Sequence, residues 1–317
     1  MQTSIIVSYD AGWGNNLTLR GTPPLSWDSG TPMLSVDSQT WRLDLDLSEP
    51  LDFKPKLNDT LWAFGRKDYR IEPGQTVQLY PHFRQTPGWS DVIGYIPFKG
   101  RDITVRLYRP PGYQENAQKR YPVMYALDGQ SLFEGQHGGW RMDSYLNALL
   151  ESRVADPLLL VGIDFLEPGA VTNPADASRV AEFGDFVLKL KESVDRNYPT
   201  RPEPEFQGVL GFAQSVPLAW WLHQQQGHTF SRPSLVVPSA DWPEPVLSRD
   251  ATVGGKVHLC ATAQDDSWGP LASSLREAGL REDESLLCRQ LEPNGDPTSW
   301  AARLGSPLRS LFPWSGR

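Results

Sequence analysis

The sequence predicts a chain in two parts, an all-β sandwich followed by an α/β unit built on a mostly parallel sheet. Three observations carry this prediction. Residues 1–83 hold short β-rich runs separated by turn clusters such as WGNN, GTPP, WDSGTP, LND and EPG. From about Val92, apolar runs alternate with helix-like stretches, the rhythm of buried parallel strands with helices on both faces. The length, 317 residues, is comfortable for two units with a core each.

The first part reads as strands at Ile5–Tyr9, Leu17–Arg20, Trp41–Leu47, Leu51–Lys56 and Thr76–Tyr80. Their number and spacing suit an immunoglobulin-like sandwich over residues 1–83. Residues 84–91 are polar and turn-rich and read as a linker, although Trp89 implies some packing there. The second part, 92–317, opens with strands at Ile93–Phe98 and Asp102–Tyr108, then a Pro-rich charged loop, PPGYQENAQKR. The apolar run YPVMYALDG follows, then a helix at Met142–Arg153, the strand LLLVGIDF and an amphipathic helix at Val180–Tyr198. Strands at Phe206–Gly211, Leu235–Val237, Lys256–Thr262 and Leu286–Leu291 come next, with a helix after Gly211 and others near Gly269–Ala278 and Thr298–Phe312.

Composition narrows the function classes. Apolar residues at 39% and charged residues at 21% describe an ordinary soluble globular protein. A net charge of −8 argues against nucleic acid or an anionic membrane as the main partner. Cys260 and Cys288 sit in apolar strand-like runs and read as buried thiols of a reducing compartment. The start, MQTSIIVSYDAGWGNN, lacks the basic flank and apolar core of a signal peptide, and no run approaches the ~20 apolar residues of a membrane span. The expected location is cytoplasmic. Neither GxxxxGK nor a GxGxxG after a strand occurs, and no Cys/His spacing suits zinc, so no cofactor or metal is expected.

One stretch carries the chemical question. Residues 208–221, GVLGFAQSVPLAWW, have the strand–turn–helix layout of a nucleophile elbow, G-x-S-x-G. The apex, however, is Ala213. Around it, RDITVRLYRPPGYQENAQKRYPVMYALDGQSLF, PLLLVGID, FVLKLKESVDRNYPTRPEP and a late W-A-A-R-L stand in order. These blocks resemble the putative-esterase branch of the α/β hydrolases, the group of esterase D and the enterobactin esterases, over about Val92–Trp314. The resemblance implies an α/β-hydrolase-type sheet and an oxyanion frame at Asp128, Gly129 and Gln130. It puts the serine position on Ala213, the two following glycines on Ser215 and Val216, and the histidine position on Gly295. The acid falls among Gln264, Asp265 and Asp266, with Asp265 as its vestigial position.

Acyl transfer by this mechanism needs an oxygen nucleophile and a base within hydrogen-bond reach of it. Alanine cannot attack, and glycine has no side chain to take a proton. Loss of either member costs on the order of 10⁶-fold in a model protease. Relocated groups would have to be Ser215 and His137, the latter in the glycine-rich GQHGGW. Ser215 reads more simply as a small packing or capping residue, and His137 as a satisfied loop residue. His223 and His228 flank QQQ and read as solvated, while His258 reads as a strand residue with a structural hydrogen bond.

The first part also resembles the starch-binding type of carbohydrate-binding sandwich, through WGNNLTLRGTPPLSW, FKPKLND and W-x-x-G. That resemblance implies a glucose platform of Trp27, Lys54 or Lys56, and Trp62, with an indole face for sugar C–H groups and an ammonium for hydroxyls. Lys67 stands where the family has an asparagine. In the plainer reading, both tryptophans belong to the core. The sequence therefore predicts a catalytically inactive esterase-like protein that binds a ligand or a protein partner, an α-glucan or other carbohydrate being the candidate ligand. The alternatives are an active carboxylic-ester hydrolase with relocated residues and a binding protein whose sandwich does the work.

Overall fold

The computed structural model describes residues 1–133, 139–164, 177–212, 215–237, 255–262, 269–291 and 305–315. The first stretch of chain forms nine strands: β1 (Gln2–Ser8), β2 (Leu17–Gly21), β3 (Thr31–Pro32), β4 (Leu34–Ser35), β5 (Thr40–Asp46), β6 (Leu51–Leu57), β7 (Leu61–Trp62), β8 (Tyr69–Ile71) and β9 (Thr76–Leu79). One sheet runs β4-β5-β1-β9; the other runs β3-β2-β6-β7, with β8 also paired to β6. Alternation decides their packing. Ile5 and Val7 of one sheet meet Leu17, Leu19, Leu51 and Phe53 of the other in one hydrophobic cluster. The even-numbered Thr18, Arg20, Lys54 and Lys56 of β2 and β6 pair across the ladder and project from the opposite face of their sheet.

The following strands are β10 (Trp89–Phe98), β11 (Arg101–Arg109), β12 (Val123–Leu127), β13 (Leu159–Ile163), β14 (Gln207–Phe212), β15 (Arg232–Val237), β16 (Val257–Thr262) and β17 (Leu286–Leu291). They form a single sheet in the order β10-β11-β13-β12-β14-β15-β16-β17. The pairs β10–β11 and β11–β13 are antiparallel, and all the others are parallel. β10 starts at Trp89, four residues earlier than expected, because Trp89 pairs with Arg109 and packs edge-on to Tyr113.

Helices α1 (Met142–Glu151), α2 (Ala177–Asn197), α3 (Val216–Gln225), α4 (Gly269–Glu277) and α5 (residues 305–311) cover the sheet. Val123, Tyr125 and Leu127 point to the face packed by α2, α3 and α4. Met124 and Ala126 point to the other face, against Met142 and Leu146 of α1 and Leu308 and Leu311 of α5. The apolar strands are continuous rather than alternating because both faces are buried.

The seam between the sandwich and this sheet is closed by polar groups. Glu115 accepts bonds from the Tyr9 hydroxyl (2.9 Å) and from the Phe83 and Arg84 N–H groups (2.7 and 2.9 Å). The Asn116 amide donates to the carbonyls of Ser8 and Pro81. Arg153, just past α1, is buried and donates to the Phe64 and Lys67 carbonyls and to the Tyr69 hydroxyl.

Two readings of single residues change. His223 is buried rather than solvated: α3 is covered on nearly every side, and the His223 Nδ1 meets the Phe230 carbonyl at 2.8 Å. Cys260 is buried, whereas Cys288 is only half-buried, and neither is in a disulfide. They lie on adjacent strands one register step apart, Leu259 opposite Cys288 and Cys260 opposite Arg289, so their side chains leave opposite faces.

Candidate functional site

The carboxyl edge of the parallel strands is where this fold class places its chemistry. β12 ends in Asp128, whose backbone is left-handed (φ 73°), a conformation aspartate tolerates better than most residues. Gly129 then opens a 3₁₀ turn, Gly129–Ser131, packed tightly on β13. A Cβ on Gly129 would lie 2.5 Å from the Gly162 carbonyl carbon and 2.6 Å from the Ile163 nitrogen, so only glycine fits. The Gln130 amide reaches toward the Asp128 carboxylate at 3.5 Å. Burial raises the Asp128 pKa, and the neighbouring Ser215 hydroxyl and Gln130 amide partly offset that rise.

β14 and α3 form the elbow frame. A Cβ on Gly211 would come within 2.7 Å of the Ala219 Cβ and 2.8 Å of Val216 Cα, so glycine lets helix and strand approach. Ser215 is 1% exposed. Its Oγ accepts from the Phe212 N–H at 2.8 Å and donates to the Phe212 carbonyl at 3.0 Å. That is the geometry of a residue closing its own turn, and it holds the hydroxyl away from solvent. Phe212 itself packs edge-on against Trp140 at 4.7 Å.

Ala213, Gln264, Asp265, Asp266, Gly295 and His137 lie outside the described residues. The described histidines have other roles. His258 is fully buried between the Ser234 and Ser306 hydroxyls, both at 3.4 Å. Burial pushes its pKa down to about 3. His82 stacks on Phe64 at 4.8 Å, and burial lowers it to about 3 as well. His228 is exposed. One group at this edge escaped the sequence reading: Asp164, at the end of β13, is buried in an ion pair with Arg106 of β11 (3.1 Å) and abuts Gly129. An acid ending an apolar strand was its only signal.

The second locus is the outer face of the β2–β6–β7 sheet. Register places Thr18, Lys56 and Trp62 in one row and Arg20 and Lys54 in the next. Trp27 and Trp62 are 38% and 37% exposed, which rules out a core role. Their rings stand 6.2 Å apart and inclined by 47°, an open V rather than a flat platform. Lys54 is the lysine of the groove beside them, about 740 Å³ in volume and also lined by Phe64, Asp68 and Phe83. Its ammonium donates to the Gly65 carbonyl at 2.7 Å and lies 3.7 Å from Asp68. Burial and the Arg153 guanidinium together lower its pKa. Lys56 is buried instead, with its ammonium 4.5 Å from the Trp62 ring centroid. Arg20 pairs bidentately with Asp59, at 2.8 and 2.7 Å, and holds that carboxyl down at about 2.

Among the described residues no three His, Cys, Asp or Glu side chains gather as metal donors, and no helix is long and apolar enough to cross a membrane.

A mixed sheet flanked by helices, with a left-handed acid and a glycine-packed elbow at its carboxyl edge, defines an α/β-hydrolase-like fold. The chain belongs to the family described as "Putative esterase", whose model matches residues 98–298, close to two thirds of it. Similar solved structures share the fold at low identity. A ferulic acid esterase aligns over 72% of this chain and 98% of its own, with 14% identity and a TM-score of 0.55. The ferric enterobactin esterase of Salmonella typhimurium aligns over 93% of this chain and 88% of its own, with 14% identity and a TM-score of 0.53. An S-formylglutathione hydrolase of Staphylococcus aureus covers 72% and 98%, with 13% identity and a TM-score of 0.52. Residues from 84 onward make up less than three quarters of the chain. The 93% match to the enterobactin esterase therefore takes in N-terminal sheets as well.

Proposed function

We propose that this protein is a member of the esterase family that binds carbohydrate without hydrolysing an ester, working in the cytoplasm as a ligand-binding pseudoenzyme. The observation that carries the binding half is the exposed, inclined Trp27–Trp62 pair with the Lys54 ammonium in the adjoining groove. Two large apolar rings that each stay more than a third exposed, one on β7 and one in the bend after β2, suit the C–H faces of successive sugar rings. Their 47° inclination suits a curved chain such as an α-glucan better than a flat one.

The non-hydrolytic half is supported by residue chemistry. Ala213 stands at the elbow apex and Gly295 at the histidine position of the family pattern. The Ser215 hydroxyl, two residues further along the sequence from Ala213, is buried and bonded to the Phe212 backbone. A relocated Ser215–His137 pair would first have to break that turn.

Affinity electrophoresis in amylose or glycogen gels tests the binding half. The protein should be retarded, and Trp27→Ala and Trp62→Ala should each restore free migration. Equal migration of wild type and both variants would refute it. Rates on short acyl esters, thioesters and acetylated sugars should stay at buffer level, with no serine labelled by a fluorophosphonate. Native labelling of Ser215 would establish the relocated-hydrolase reading instead.

A further inference from the structure

The groove beside Trp27 and Trp62 is not built by the sandwich face alone. One of its walls is the bend after β7, with Phe64, Gly65 and Asp68, and another is Phe83, Arg84 and Gln85, in the chain leaving β9. Both lie outside the strands, so their backbone groups need partners other than a ladder. The Phe64 N–H donates to the His82 carbonyl at 2.8 Å, which ties the two walls to each other. Beyond that tie, each wall is pinned from the α/β unit.

The first wall is held at the end of α1. The Arg153 guanidinium donates to the Phe64 and Lys67 carbonyls, on either side of Gly65, and the Arg66 N–H donates to the Glu151 carbonyl at 3.0 Å. Arg153 is itself fixed. It is 6% exposed, donates to the Tyr69 hydroxyl at 3.0 Å, and lies 4.2 Å from the Tyr69 ring centroid and 5.4 Å from that of Trp314. Gly65 has a φ of +107°, and a Cβ on it would overlap the Arg153 Nε, so glycine lets the wall close on the guanidinium. The Gly65 carbonyl in turn receives the Lys54 ammonium at 2.7 Å. Through Gly65, then, Arg153 sets where the groove cation stands.

The second wall is held by Glu115, in the loop between β11 and β12. Its two carboxylate oxygens accept from the Phe83 N–H at 2.7 Å and the Arg84 N–H at 2.9 Å. Bonds to a charged acceptor are roughly twice as strong as neutral ones. A wall fixed in advance spares the ordering cost of binding, and one that is ordered only part of the time lowers the apparent affinity by that fraction.

We propose that Arg153 and Glu115 are positioning residues for carbohydrate, each holding one wall of the Trp27–Trp62 groove, so that the α/β unit serves as scaffold of a composite sugar site. The ligand in this assignment rests on the carbohydrate reading given above, whereas the pinning of the walls stands on the contacts alone.

Two measurements on the full-length protein test it: calorimetric titration with maltoheptaose, and amide exchange in the free protein. Arg153→Met and Glu115→Ala should each weaken maltoheptaose about tenfold, the loss expected when the freed wall is ordered about a tenth of the time. Glu115 is only half-buried, so its variant keeps the fold even if Arg153→Met does not. Leu308→Ala opens a cavity in the α/β core away from both walls and should bind as wild type does. In Arg153→Met the Phe64 and Arg66 amides should exchange as in an unstructured loop while those of β2 and β6 stay protected. Wild-type affinity in both wall variants would overturn the positioning role, as would an equal loss in Leu308→Ala. A wild type that does not bind maltoheptaose would overturn the carbohydrate reading, and the exchange data then decide the pinning by themselves: unchanged protection at Phe64 and Arg66 in Arg153→Met would overturn that too.

Discussion

The buried histidines give a quantitative prediction about acid stability. His82 and His258 are held neutral, with native pKa values of about 3 against an unfolded value of about 6.5. The native state therefore takes up no proton at these rings above pH 4, whereas the unfolded state does so below about 6.5. Stability is thus lost as pH falls through 6.5 and goes on falling toward 3. Between pH 7 and pH 5 the loss is about 2 kcal/mol for each ring, or about 4 kcal/mol for both. Urea melts at the two pH values measure it. Carboxylates contribute too, so the informative quantity is the difference between wild type and His82→Gln or His258→Gln. Each variant should lose about 2 kcal/mol less than wild type over that interval. Imidazole proton shifts in the native protein give an independent reading that survives if a variant does not fold. A native ring titrating near pH 6, or variants with the wild-type pH dependence, would refute the reasoning.

Three further outcomes follow from contacts described above. Gly129→Ala should cost about 1–3 kcal/mol in a denaturant melt, because its Cβ meets backbone atoms of Gly162 and Ile163 rather than a movable side chain. Ser215→Ala should cost about 1–3 kcal/mol by stripping the acceptor from the Phe212 N–H, with no change in fluorophosphonate labelling. Arg153→Met should cost about 3 kcal/mol, since the Phe64 and Lys67 carbonyls lose their donor, and limited proteolysis should then cut within 64–69.

The order of long elements was legible in the sequence because burial writes itself into residue pattern. Val123–Leu127 and Leu159–Ile163 are apolar throughout since both faces are covered. Strands of two or three residues, such as Leu61–Trp62 and Tyr69–Ile71, were not legible, since so short a run carries no period. His223 was misread because its polar neighbours imply solvent, while the helix that carries it is covered by residues remote in the chain. Partners of Arg153 lie more than eighty residues away, and Asp164 pairs with Arg106 across two strands. No local pattern encodes such pairs. The choice between Lys54 and Lys56 rests on the groove lining and on the burial of Lys56, neither of which a local pattern shows.

The two loci differ in what their residues can prove. Gly129, Gly211 and Ser215 each have a structural task in this chain, through close backbone approach for the two glycines and a self-closed turn for the serine. Their presence at the carboxyl edge is thus no argument for ester chemistry, since the frame needs them whether or not a nucleophile stands on it. Trp27 and Trp62 are the reverse case. Each leaves more than a third of its surface in water at some cost in apolar exposure, and the sandwich core closes on other side chains without them. Both rings still pack, on each other and, for Trp62, against the Lys56 ammonium, yet neither belongs to the sandwich core. The binding role proposed above therefore rests on the exposed aromatic pair and the groove lysine of the sandwich face, and not on the elbow.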